Sequence, residues 1–183
     1  MITRIHNIKN ITTYNTNTNR VEVEDVDSIT IENGYIRSIG SQENINFDNQ
    51  IDANNTILTP GFIDSHTHLI FSSNRANDFL SRVSGKSYLE VANSGGGIKS
   101  SIESLRKSSL EELVEKCLKD LKNIINTGTT TIEAKSGYGL TLEDEIKSLE
   151  VIKELNEMNS IDIVPTFMGA HDFPPEIKNK DEY

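Results

Sequence analysis

The residues most informative about the fold are Thr59-Pro60-Gly61-Phe62-Ile63-Asp64-Ser65-His66-Thr67-His68. A Pro-Gly turn leads into a short apolar run, typical of a strand with Phe62 and Ile63 buried, and the run ends in a His-x-His pair. Side chains two residues apart on a strand point to the same side, so His66 and His68 can direct two imidazoles to one point. Imidazole is a common metal ligand, and the chain holds only 4 histidines. We therefore predict that this pair binds a metal ion, although such pairs also occur by chance.

Composition restricts the classes of protein to consider. The chain has 183 residues, of which 35% are hydrophobic and 25% charged, enough for a globular core. A net charge of -10 argues against a nucleic-acid partner, because phosphate binding needs clustered Lys and Arg. The single cysteine, Cys117, excludes an internal disulfide and favours a reducing compartment. No stretch approaches membrane-spanning length and no signal peptide is recognisable, so we expect a cytoplasmic protein without a membrane partner.

Residues 2–58 are predicted to form a meander of about four short strands. The runs 28–31 and 35–39 flank Glu32-Asn33-Gly34, and Asn-Gly between alternating runs is a strong hairpin signal. A further strand, Thr56-Ile57-Leu58, leads to the Pro-Gly turn. Such a meander has unpaired edges, so we expect other strands to complete it.

The clearest helix is predicted at residues 109–126. Ser109 and Glu112 have the spacing of a capping box, and apolar residues recur every three or four positions after them. Cys117 lies on the apolar face, which favours a packing role over a reactive one. Before this helix, residues 74–79 are polar and Gly95-Gly96-Gly97 predicts a flexible loop.

The chain after this helix alternates between strands and helices. The predicted elements are a strand at 129–134, a helix at about 142–158 and a strand at 162–168. The second helix should turn its apolar residues inward, namely Leu142, Ile146, Leu149, Ile152 and Leu155. Connections of this length indicate a parallel α/β arrangement.

Chemically reactive side chains follow the ends of three predicted strands. The first strand ends at His66 and His68, the second is followed by Lys135-Ser136-Gly137-Tyr138-Gly139, and the third by His171. Active sites of (β/α)₈ barrels, and of open parallel sheets, are built at this edge. Each loop alone could be structural, with Tyr138 as a turn aromatic.

In these motifs the sequence resembles the metal-dependent amidohydrolase superfamily and, within it, the imidazolonepropionase family. The matching motifs are Pro60–His68, Asn74-Arg75, Gly85–Leu89, Gly95–Ile98, Lys135–Leu140 and Val164–His171. The likeness covers roughly residues 56–175. The His-x-His pair is common to the superfamily, whereas the loop that begins at Lys135 is far more specific.

The resemblance implies an incomplete TIM (β/α)₈-type barrel at residues 59–183, preceded by part of a small N-terminal β-sandwich at residues 1–58. A full barrel needs about 250 residues, and a catalytic zinc ion normally takes about three protein ligands. In the family, a further histidine, an aspartate and a proton-transferring glutamate come from later strands. We therefore expect an N-terminal portion of a longer enzyme, inactive alone, and assign no catalytic residue within it.

The resemblance also implies a role for each matched residue. His66 and His68 would bind a zinc or iron ion, and Arg75 would pair with the propionate carboxylate of the substrate. Tyr138 and His171 would contact the imidazolone ring and the product. The reaction would be hydrolysis of the cyclic amide of 4-imidazolone-5-propanoate to N-formimidoyl-L-glutamate, in histidine degradation. The expected partner is this small molecule, with a homodimer as one option for assembly.

Two other functions are compatible with parts of the pattern. One is another cyclic amidohydrolase or an aminohydrolase of the same superfamily, which Arg75 and the loop 135–139 argue against. The other is a non-catalytic binding module that retains the pocket loops. The role of Lys135 also stays open between orienting substrate and forming an ion pair, either with Glu133 or with a residue beyond the chain end, and we favour the ion pair.

Overall fold

The computed structural model describes residues 1–40, 45–158, 160–174, 176–177 and 179–183. The chain divides into two compact units, Met1–Pro60 and Gly61–Tyr183. The first unit is a β-sheet, and the second combines three parallel strands with helices. None of the helices formed by the described residues is both long enough and apolar enough to cross a membrane.

The sheet of the first unit is built around its first strand. Its strands are β1 (Ile2–Asn15), β2 (Arg20–Glu24), β3 (Ile29–Glu32), β4 (Tyr35–Ile39) and β5 (Asn49–Leu58). The two ends of β1 pair antiparallel with β3 and β2, and its residues from Thr3 to Ile11 pair in parallel with β5. The predicted hairpin is confirmed: Asn33 and Gly34 join β3 to β4 with φ of 53° and 87°, as a type I′ turn requires.

The prediction of a simple meander of four short strands was wrong. β1 has 14 residues, and β5 begins at Asn49 instead of Thr56 and runs parallel to β1. Parallel pairing joins residues far apart in the chain and has no tight turn to signal it in the sequence. The core of this sheet is formed by Ile8, Ile11 and Ile29.

The second unit contains the predicted parallel strands with helices between them. Its elements are β6 (Phe62–Thr67), α1 (Ala76–Val83), α2 (Tyr88–Asn93), α3 (Ile98–Lys107), α4 (Leu110–Asn126), β7 (Thr129–Lys135), α5 (Leu142–Met158), β8 (Asp162–Thr166) and a short 3₁₀ helix (Lys180–Glu182). The strands are parallel in the order β6-β7-β8. α4 packs on β7 and α5, and α5 packs on β8.

Helix α4 forms as its sequence predicts. The Ser109 hydroxyl accepts a hydrogen bond from the Glu112 amide at 3.2 Å, and the Glu112 carboxylate accepts one from the Ser109 amide at 2.9 Å. This reciprocal pair satisfies two amides at the start of the helix. Leu113, Cys117 and Leu121 on its inner face are fully buried.

The buried thiol of Cys117 should react slowly in the folded chain. Burial raises its pKa to about 11, from an ordinary value of 9.0, and the thiol donates a hydrogen bond to the Leu69 carbonyl at 3.4 Å. Two pKa units reduce the reactive thiolate about 100-fold. A disulfide reagent should therefore label the folded chain at least about 100-fold more slowly than the urea-unfolded chain. Equal rates would contradict the packing role.

Three helices between β6 and α4 were not predicted from the sequence. The start of α1 lies in the polar stretch 74–79, where no apolar periodicity indicates a helix. The capping box of Ser87 and Glu90 at the start of α2 was a usable signal. The glycine loop before α3, predicted to be flexible, is fixed by a hydrogen bond in which the Gly97 amide donates to the Asp78 carboxylate at 2.8 Å. A Cβ at Gly96 would lie 2.4 Å from the same carboxylate and 2.9 Å from the Val91 side chain, so a larger residue there would have to displace both side chains.

Two predictions about burial were wrong. Phe62 and Ile63 are 59% and 73% exposed. The reason is that β6, among the strands described, pairs only with β7 and forms the edge of the sheet. In α5, the predicted burial of Ile152 and Leu155 is confirmed, but Leu142 and Ile146 are 76% and 44% exposed, and Glu145 is buried in their place. The cause of this rotation is the hydrogen bonding of Glu145, described below.

Candidate active site

Aromatic and histidine rings from the three strand ends meet at one edge of the β6-β7-β8 sheet. His66 and His68 lie at the end of β6, Tyr138 follows β7, and His171 follows β8. The ring centre of His68 is 5.0 Å from that of Tyr138 and 5.1 Å from that of His171. Parallel strands place their carboxyl ends together, which is why residues so distant in sequence become neighbours. The structure thus brings together four of the five predicted site residues by direct ring contacts.

The two histidines of the His-x-His pair are close enough to act on one ion. Their ring centres are 5.8 Å apart at an interplanar angle of 72°. His68 Nδ1 is buried and has no hydrogen-bond partner among the described residues. Burial lowers the pKa of His68, and the neighbouring His171 and His66 lower it further, so the neutral, metal-binding form is favoured.

The residues present fit only part of a metal site. Within the described ranges, no group of three or more His, Cys, Asp or Glu side chains is arranged to hold a metal ion. A pair of imidazoles is a suitable part of a zinc or iron ligand set, since both metals accept nitrogen ligands. His66 and His68 therefore fit as two ligands and need others.

Arg75, just before α1, is joined to the same ring cluster. Its Nε donates to the Ser101 hydroxyl at 3.0 Å, and its guanidinium carbon lies 5.7 Å from the Phe71 ring centre and 5.8 Å from that of Tyr138. Its Nη2 is buried without a hydrogen-bond partner in the described part of the chain. A buried, unpaired guanidinium donor is costly, so this atom is suited to an anionic ligand such as a carboxylate.

The loop between β7 and α5 is locked to the segment after β8. His171 Nδ1 is 2.9 Å from the Gly137 carbonyl, and the Ser136 hydroxyl accepts a hydrogen bond from the Met168 amide at 2.9 Å. Gly137 has φ of +109°, and a Cβ there would lie 2.9 Å from the His171 Cβ. Glycine is therefore required at this position both for its backbone angle and for space.

Lys135 forms the ion pair with Glu133 that the sequence analysis favoured. The Glu133 carboxylate also accepts a hydrogen bond from the Thr67 amide at 3.2 Å, which links β7 to β6. Burial alone would raise the pKa of Glu133, but hydrogen bonds from Lys135, Thr166 and the Thr67 amide lower it to about 2. The ionised carboxylate of Glu133 thus links β7 to β6 at Thr67, between His66 and His68 in the sequence.

Glu145 is a residue of this site that the sequence analysis missed. It is 2% exposed, and its carboxylate accepts hydrogen bonds from the amides of Gly137, Gly139 and Leu140 at 2.8, 2.8 and 2.9 Å. A signal was available: a loop rich in glycine has main-chain amides that need acceptors when buried. An acidic residue early in the next helix is a natural acceptor.

Comparisons with known proteins agree with the motifs. No family model matches the chain. The chain is 45% identical over 168 residues to an imidazolonepropionase of Brevibacillus brevis, covering 87% of this chain. It is 45% identical over 167 residues to one of Fusobacterium nucleatum, covering 88% of this chain. In both cases the chain spans about 40% of the length of the curated relative. The similarity to imidazolonepropionases that the motifs indicated is confirmed.

Solved structures show the same fold in amidohydrolases. A triazine hydrolase variant matches 91% of this chain with a TM-score of 0.62 at 22% identity. An amidohydrolase from a Sargasso Sea sample matches 91% with a TM-score of 0.57 at 15% identity. The matched portions are 35% and 34% of those chains. The described residues therefore have the fold of a portion of an amidohydrolase.

Proposed function

We propose that this chain carries part of the active site of an imidazolonepropionase, which hydrolyses 4-imidazolone-5-propanoate to N-formimidoyl-L-glutamate in histidine degradation. The observation that most supports this substrate is the buried, unpaired Nη2 of Arg75, whose guanidinium lies beside the rings of Phe71 and Tyr138. A planar, cyclic amide that carries a carboxylate side chain matches an aromatic cluster with one free guanidinium donor. The similarity to curated imidazolonepropionases adds independent support.

In this proposal Arg75 orients the substrate through its carboxylate. The Ser101 hydroxyl holds Nε, and Phe71 and Tyr138 lie beside the guanidinium, so the free donor has a fixed position. Tyr138 and His171 contact the imidazolone ring and the product. A substrate held at both ends would present its ring carbonyl to the same point in each encounter.

His66 and His68 would supply two ligands of a zinc or iron ion. Such an ion provides Lewis-acid activation of water and of the ring carbonyl. Because a catalytic zinc ion takes about three protein ligands, the remaining ligands of the proposed enzyme come from other residues. The group that transfers the proton would be a glutamate from a later strand, as the resemblance to the family implies.

The same proposal assigns the two units of the chain. We interpret β6, β7 and β8 as strands of a TIM (β/α)₈ barrel, and Met1–Pro60 as part of a small β-sandwich. In β7, Ile132 and Ala134 are buried against the helices, whereas the alternate residue Glu133 faces the other side, as on a barrel strand. The proposed enzyme acts on a small molecule in the cytoplasm, and its assembly as a homodimer stays a prediction.

The function can be tested in a chimera, in which this chain replaces the matching stretch of the Brevibacillus brevis relative. We expect the purified chimera to hydrolyse 4-imidazolone-5-propanoate faster than hydantoin or dihydroorotate. The measurement is the initial rate for each substrate at equal enzyme concentration. A folded, metal-loaded chimera that prefers hydantoin or dihydroorotate, or that leaves imidazolone propanoate unchanged, would contradict the proposal.

Metal analysis of two samples accompanies this test. After dialysis, the 183-residue chain should retain almost no zinc or iron, whereas the chimera should retain close to one ion per chain. The physical reason is that two imidazoles alone bind such an ion weakly. About one ion per isolated chain would mean that His171 or a second copy of the chain supplies the remaining ligands.

A further inference from the structure

The carboxylate of Glu145 is buried under the loop that carries Tyr138. Its Oε2 accepts a hydrogen bond from the Gly137 amide, and its Oε1 accepts from the amides of Gly139 and Leu140. Tyr138 thus has a neighbour on each side whose amide is bound to the same side chain. The contact is close, because a Cβ at Gly139 would lie 2.7 Å from the Cβ of Asp144 in the first turn of α5.

A second charged side chain, the cationic Arg106, also binds this loop. Arg106 Nε donates to the Gly139 carbonyl at 2.7 Å and lies 3.6 Å from the Asp144 carboxylate. The loop amides therefore donate to the Glu145 carboxylate, and the Gly139 carbonyl accepts from the Arg106 guanidinium. The position of Glu145 in the first turn of α5 also favours a negative charge, because the N-terminus of a helix carries partial positive charge.

We propose that Glu145 is a positioning residue that fixes the loop 137–140, and with it the ring of Tyr138 against His68 and His171. The effect of Glu145 passes through main-chain hydrogen bonds to a ring whose centre is 5.0 Å from that of His68 and 5.1 Å from that of His171. The consequence for substrate binding rests on the function proposed above, whereas the consequence for the ring does not.

The direct test is fluorine NMR of the 183-residue chain labelled with fluorotyrosine. The chain has 5 tyrosines, and Tyr138→Phe identifies the signal of Tyr138. Glu145→Gln keeps the shape of the side chain but replaces one oxygen with an NH₂ group, which must face at least one of the three amide donors. Glu143→Gln is the matched control, since Glu143 is an exposed carboxylate in the same helical turn.

Glu145→Gln should shift or broaden the Tyr138 signal, while Tyr14 and Tyr35 in the first unit keep theirs. Glu143→Gln should leave all signals in place. An unchanged Tyr138 signal in a folded Glu145→Gln chain would overturn the proposal. So would collapse of all signals to their unfolded positions, because Glu145 would then stabilise the whole unit and not one loop.

Kinetics in the chimera separate positioning from general stability. If Tyr138 binds substrate, Glu145→Gln should raise KM about tenfold and change kcat less than about twofold, with metal content unchanged. A merely structural role would lower the fraction of folded enzyme, and hence kcat, at constant KM; that result would overturn the proposal. A chimera inactive before any substitution would refute the proposed function and leave the NMR result standing.

Discussion

Replacing His66 with alanine should remove the metal ion from the chimera and lower hydrolysis of imidazolone propanoate more than about 100-fold. Even residues that only hydrogen-bond to metal ligands contribute about 10–100-fold to affinity or activity, so loss of a ligand should exceed this range. His66 is exposed, so its removal should cost little packing energy and leave the fold intact. The measurements are metal content by elemental analysis and the initial rate of hydrolysis.

His6→Ala is the control for this experiment. His6 lies in β1 of the first unit, and its replacement removes the same chemical group from outside the ring cluster. It should leave metal content and rate unchanged. Full metal content in a folded His66→Ala chimera would show that the His-x-His pair does not bind the ion.

Replacing Arg75 with alanine should raise KM about 100-fold and leave the metal in place. A hydrogen bond to a charged group contributes roughly 1.5–3 kcal/mol, and about 1.4 kcal/mol corresponds to a factor of ten. The Arg75→Lys variant should also bind the substrate poorly, because an ammonium group lacks the planar pair of donors with which a guanidinium holds a carboxylate through two hydrogen bonds. Steady-state kinetics with thermal unfolding of the same samples would measure both effects.

Arg37→Ala provides a charge-matched comparison, because Arg37 is an exposed arginine of β4 whose salt bridge is with Glu32. Its KM should match that of the unsubstituted chimera. Loss of metal from Arg75→Ala would refute the assignment, since Arg75 would then support the metal site. An unchanged KM would show that the carboxylate of the substrate binds elsewhere.

Features governed by neighbouring residues could be predicted from the sequence. The hairpin at Asn33-Gly34 and the start of α4 at Ser109 depend on backbone angles and capping groups within a few residues. The parallel order of β6, β7 and β8 followed from the spacing of strands and helices. Each of these predictions was confirmed because it depends either on residues close together in sequence or on the order and spacing of strands and helices.

Features governed by distant partners could not be predicted in this way. The parallel pairing of β1 with β5 joins residues 46 to 48 positions apart. The exposure of Phe62 follows from the position of β6 at the edge of its sheet, which periodicity does not reveal. Helix α5 turns Glu145 inward in place of Ile146, because three loop amides require a buried acceptor.

The candidate site also has features that the sequence indicates and others that depend on distant partners. Residue types and spacing singled out His66, His68, Tyr138 and His171 as candidates, whereas Arg75 was predicted only from the resemblance to imidazolonepropionases. Only the tertiary structure decided that four of their rings lie in contact, that the Nη2 of Arg75 is buried and unpaired, and that Glu145 holds the loop. The physical reason is that hydrogen bonding and burial depend on which distant groups the fold brings together.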